Sequence, residues 1–109
     1  MAPDASKPWK SLITVLSDLR ANRIGLVEGC REVVALRHKL NQEDNELFLP
    51  FVAVDSDTVH FPLGSVRERW APHALQREDN QRLQYEVESR EGLIDAMEQL
   101  LQYAWKNAL

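Results

Sequence analysis

The chain has 109 residues, 44% of them hydrophobic and 28% charged, with a formal net charge of −4. A domain of this length buries roughly 65% of its unfolded-chain surface, enough for one apolar core without metal or disulfide staples. Those values exclude a disordered or collagen-like chain, and the negative balance disfavours general nucleic-acid binding.

Residues 1–8 are expected to form a flexible tail ahead of a single helical domain over 9–109. Pro8 suits a first helical turn, where its missing N–H costs nothing. Trp9, Leu12, Ile13, Leu16 and Leu19 recur at helical steps and predict an amphipathic helix to about Arg20. Asn22 is the residue there able to take the left-handed conformation that ends helices. A second helix is predicted from about Gly25 to Leu40, with Leu26, Cys30, Val33, Leu36 and Leu40 on one face. Gly29 within it costs roughly 1 kcal/mol relative to Ala, which points to close approach of another helix. The short connection makes these two helices an antiparallel hairpin.

The apolar run from Leu47 to Val54 admits two readings. It fits a short helix with Pro50 in the first turn, ending at Asp55-Ser56-Asp57, and the helical surroundings favour that. It also fits a short β-hairpin around residues 51–61 turning on the same three residues. Ser65 to Glu68 has the pattern of a capping box and predicts a helical turn over Val66–Trp70. A last long helix is predicted from about His73 to Trp105. Its seam reads Leu83, Val87, Arg90, Ile94, Met97, Leu101 and Ala104, widened by Leu93 and Leu100, with Gly92 a point where it could bend. The fold class is therefore mainly α: a helical hairpin plus a long C-terminal helix.

No catalytic set is evident. Asp55, Asp57 and His60 lie close in sequence and are the candidates for a metal site, since carboxylates at alternating positions can converge on a hard cation. The calcium-loop pattern fails, because His60 and Val66 stand where Gly and Glu are needed; a turn with side-chain caps is the preferred reading. His38, His60 and His73 have no zinc spacing. Cys30 falls on an apolar face and reads as a small core residue rather than a nucleophile. With one cysteine, no disulfide is expected and a cytoplasmic location is the default. No apolar run approaches the about 20 residues that span a bilayer, and Met1 to Trp9 has no signal-like apolar core. No cofactor is expected.

The acidity is uneven. Residues 1–54 carry seven Lys/Arg and seven Asp/Glu, whereas 55–109 carry six and ten, which is the whole −4. Glu88, Glu91, Asp95 and Glu98 step by three, four and three along the last helix and form an acidic ridge beside its seam. Such a ridge keeps a surface solvated, and it also complements a basic protein. Arg90, a charge inside the seam, would pair with Glu86 or protrude into an interface. Trp105, beside Tyr103, is a candidate interface anchor.

Three segments together, Leu26-Val-Glu-Gly-Cys-Arg31, Val54-Asp-Ser-Asp-Thr58 and Pro62-Leu-Gly-Ser-Val-Arg67 with Trp70, resemble a small uncharacterised bacterial family of single-domain proteins. The resemblance spans most of residues 9–80 and transfers no catalytic residue. Where that family places an acidic residue before the histidine of the middle segment, this chain has Val59.

The leading expectation is a non-enzymatic protein–protein interaction module, immunity- or antitoxin-like, that binds a basic partner through Glu88, Glu91, Asp95, Glu98, Arg90 and Trp105. The alternatives are a small metal-dependent protein or enzyme using Asp55, Asp57 and His60, and a homodimeric helical scaffold. Neither nucleic acid nor membrane is an expected partner.

Overall fold

A computed structural model describes residues 6–109. These form α1 (Ser6–Arg20), α2 (Leu26–Lys39), α3 (Leu49–Asp57) and α4 (Pro72–Ala108), with 3-10 turns at Glu46–Phe48 and Gly64–Arg69. No strand occurs among the described residues, so the β-hairpin considered for residues 51–61 is not formed. Among the described residues α1 runs from Ser6, so Ser6, Lys7 and Pro8 of the expected tail are helical. The rest of the expected tail, residues 1–5, lies outside the described residues.

The apolar face read from α1 is the face that packs. Trp9, Leu12, Ile13, Leu16 and Leu19 are buried, together with Leu26, Cys30, Val33 and Leu36 of α2. Fully burying each large aliphatic side chain contributes about 1.5–3 kcal/mol, so this hairpin face is a large part of the cohesion, shared with α3 and α4. Asn22 ends α1 with φ 59°, and its N–H donates to Leu19 O at 3.1 Å. Gly29 faces α1 directly: a Cβ there would overlap the Leu19 side chain and lie 2.9 Å from Ile24 Cδ1. The close approach inferred from Gly29 is therefore real.

Helix α3 exists because Phe51, Val54 and Thr58 recur at helical steps, and all three are buried. Pro50 sits in its first turn. The buried Thr58 hydroxyl donates to Val54 O at 2.6 Å and so satisfies a carbonyl at the helix end. A hairpin would have turned alternate residues of this run to solvent, at the cost of the contacts that Phe51 and Val54 make in the core. The Ser65–Glu68 capping box is not formed either. The 3-10 turn starts on Gly64, with φ +66°, and no side chain caps it.

Helix α4 is continuous across Gly92, which has open space around it. Its 37 residues imply a length of about 55 Å. Leu93, Met97, Leu100, Leu101 and Ala104 are its buried residues, all in the C-terminal half. Met97, Leu101 and Ala104 of the predicted seam are thus buried together with Leu93 and Leu100 of its flank, and the inward line runs between the two. Leu83, Val87 and Ile94, expected in the seam, are 52%, 78% and 42% exposed.

Candidate functional site

What replaces methyl groups on the N-terminal half of the inward face of α4 is charge. Asp79, Arg82 and Glu86 continue the line of Leu93, Met97 and Leu100 at helical steps. Arg67, from the 3-10 turn, holds both Asp79 oxygens at 2.7 Å through its two terminal nitrogens. Arg82 bridges Asp79 at 3.6 Å and Glu86 at 3.0 Å. The Arg67 guanidinium, which donates directly to the carboxylate, holds Asp79 below the ordinary carboxylate range. The same pair raises Arg67 further.

The ladder ends at the turn between α1 and α2. Helix α2 has Gly25 at its N-cap and no side-chain cap of its own. The Glu86 Oε2 atom of α4 fills that role, accepting from the Val27 N–H at 3.0 Å. A Cβ on residue 25 would stand 3.2 Å from that oxygen, so glycine leaves room for the carboxylate. One turn along α4, Arg90 Nη2 donates to Leu19 O and Arg20 O, both at 2.9 Å. Thus α4 presents an anion to the positive end of α2 and a cation to the negative end of α1, the arrangement that both helix dipoles favour. Arg90 does not pair with Glu86, as one sequence reading had it, and its charged group is turned to α1 rather than to an interface.

On the flank of α4 beside this inward face lies an exposed apolar surface. Leu83, Val87 and Ile94 line up at steps of four and seven, and Trp105, 51% exposed, extends the same stripe. A groove of ≈ 360 Å³ opens where this stripe meets the α1–α2 turn, with Ile24, Leu83 and Val87 among its walls. Glu88, Glu91 and Asp95 border the stripe and are exposed. Glu88 accepts a bond from Gln84 at 3.2 Å, whereas Glu91 and Asp95 have no ion-pair partner among the described residues. Glu98 is different: it pairs with Arg20 at 2.9 Å and ties α4 to the end of α1. Of the ridge, then, three carboxylates face outward, Glu88 held by Gln84 of its own helix, and the fourth is shared with the fold.

The other candidates are dispersed. Asp55 faces Arg31 at 3.7 Å, Asp57 accepts from the Tyr85 hydroxyl at 3.4 Å, and the exposed His60 ring lies against Phe61. No group of three His, Cys, Asp or Glu side chains among the described residues is arranged to hold a metal ion. The reason is local. Asp55 and Asp57 are two residues apart at a helix end, about 200° apart around its axis, so they point away from each other, and Arg31 faces Asp55 alone. Its guanidinium donates to Thr58 O at 2.6 Å and Phe61 O at 3.1 Å, gathering the orphan carbonyls after α3. Cys30 is fully buried, and desolvation, helped by the charges of Asp55 and Glu86, pushes its thiol up to about 12. A thiol so placed is a packing group.

Sequence reasoning missed three roles: Glu86 as a borrowed cap, Arg31 as a clamp, and Leu83-Val87-Ile94 as a surface. The signal for the first was present, because Asp79, Arg82 and Glu86 alternate in sign on one helix face. No helix among the described residues is long and apolar enough to cross a membrane. No family model, curated protein or solved structure matches the chain.

Proposed function

We propose that the chain is a non-enzymatic protein-interaction module that receives a basic protein on the outer flank of α4. The observation that carries this reading is the pairing of an apolar stripe with outward carboxylates. Leu83, Val87 and Ile94 remain exposed although the fold has a complete core, and Glu88, Glu91 and Asp95 run beside them. Exposed apolar surface rimmed by charge is typical of partner-binding faces. The carboxylates add steering toward a cationic partner and set against an anionic one. Masking of a basic partner, as an immunity protein or antitoxin does, is the activity such a face suits. Trp105 lies on the same stripe and belongs to the face, whereas Arg90 and Glu98 support it from within by holding the end of α1.

The test is affinity capture from the native host with the unaltered chain and with a Glu88→Lys/Glu91→Lys/Asp95→Lys variant. The expected result is a basic protein whose purified form binds the unaltered chain and loses binding to the variant. Equal binding to both would remove the ridge from the function.

A further inference from the structure

The shape of the α4 face indicates what kind of element occupies it, given the reading of this surface as a partner site. We infer that the occupant is an amphipathic helix of the partner that carries lysine or arginine along one edge only.

Three observations converge on this. The stripe is narrow and straight, as a single helix presents it, and Val87 and Ile94 are seven residues apart, a rise of about 10 Å. A helix laid along it matches that repeat with its own apolar residues seven apart. Next, the groove of ≈ 360 Å³ has Ile24, Leu83 and Val87 on one wall and Arg82, Glu86 and Arg90 on the other, and it has room for one large side chain of the partner helix at the α1–α2 turn. Finally, the two edges of the stripe differ. Glu91 and Asp95, four residues apart, form one edge, whereas on the other Arg90 is bonded to Leu19 O and Arg20 O, Glu86 to the Val27 N–H and Arg23 to Asp18. A row of cations four residues apart on the partner therefore meets unpaired carboxylates on the first edge only.

The same pattern disfavours an antiparallel pairing with a second copy of this chain. An antiparallel pairing of two α4 helices about a two-fold axis places each edge beside its own counterpart. Glu91 and Asp95 would then face the Glu91 and Asp95 of the other copy.

The probe is a displayed library of helical peptides with leucine, isoleucine or phenylalanine fixed seven residues apart and both edges varied among lysine, glutamate and glutamine, selected on the full chain. Selected peptides are expected to carry lysine on one edge and to bind Leu83→Asn/Val87→Asn on the order of tenfold more weakly. Both residues are at least half exposed, so the variant keeps its fold, which far-UV circular dichroism verifies. A Glu91→Lys/Asp95→Lys variant is expected to prefer the glutamate-edged peptide. Selection without a charge preference overturns the inference, as does unchanged binding by Leu83→Asn/Val87→Asn. A concentration-dependent dimer in sedimentation velocity that Val87→Asn abolishes overturns it too, because the copy then covers the face. If the captured basic protein still binds Leu83→Asn/Val87→Asn but not the ridge variant, the helix-docking inference falls and the basic-partner reading stands. If it binds both, both fall.

Discussion

Two glycines in α-helices allow the packing account to be tested with opposite signs. At Gly29 a Cβ would overlap Leu19 Cδ2, lie 2.6 Å from Leu19 Cγ and 2.9 Å from Ile24 Cδ1. Leu19 is fully buried among core side chains, so a shift of its side chain must displace core neighbours. Overpacking of this kind costs about 1–3 kcal/mol, and the tight surroundings of Leu19 place Gly29→Ala at the upper end. Alanine returns about 1 kcal/mol of helix propensity, which leaves a net loss of about 2 kcal/mol. In a domain of this size that lowers Tm by about 8–16 °C. At Gly92, also inside a helix, nothing lies within 4 Å of the added Cβ. Gly92→Ala should therefore keep the whole propensity gain of about 1 kcal/mol and raise Tm by about 4–8 °C. Thermal unfolding followed by far-UV circular dichroism measures both. A neutral or stabilising Gly29→Ala, or shifts of the same sign at the two positions, would refute the close packing of α2 on α1.

Further expectations concern the charged groups and the thiol. Arg90→Ala removes two charge-assisted bonds to the end of α1 and should cost about 1.5 kcal/mol in urea unfolding, whereas a cost near zero would show that water caps α1 equally well. Asp79 titrates below the ordinary carboxylate value in the folded chain. Its contribution is thus present above that value and is lost as pH falls through the depressed one, so carboxyl NMR titration of the folded chain should place Asp79 below the ordinary aspartate range, and Arg67→Gln should bring it back up. Cys30, raised to about 12, stays a buried thiol at neutral pH. Alkylation by iodoacetamide should track global unfolding, and fast labelling of native protein would contradict its burial. Its folded value is the higher one, so its contribution is complete below the ordinary thiol range and declines as pH rises from there toward the raised value.

The helices were largely legible in the sequence because the apolar faces of α1 and α2 repeat at three and four residues and both face one core. Asn22 and Gly29 were legible for steric reasons, one needing positive φ and the other lacking space. The phase of α4 was not. Leu83, Val87 and Ile94 fall on the same helical line as Leu101, and hydrophobicity alone assigns all four to one seam. The real inward face turns polar toward its N-terminal half, because there α4 meets helix ends instead of side-chain methyls. Helix ends need Glu86 and Arg90. An apolar period finds contacts with apolar neighbours, and it cannot find a charge placed against a dipole. For the site, the acidic row was visible as a pattern, yet its division into three outward carboxylates and one, Glu98, tied to Arg20 required the position of α1.

The clamp of Glu86 and Arg90 on the α1–α2 turn also bears on how the chain folds. The residues it joins lie 59 to 71 positions apart, so the loop must close before either cap exists. Closing a loop of that length carries an entropic cost that grows slowly with length and is met before the contacts form. The N-terminal hairpin consequently has one helix without its N-cap and one without the Arg90 bonds to its last carbonyls until α4 arrives. During synthesis these helix ends stay open while residues 72–90 emerge, and consolidation of the core is a late event that waits for α4.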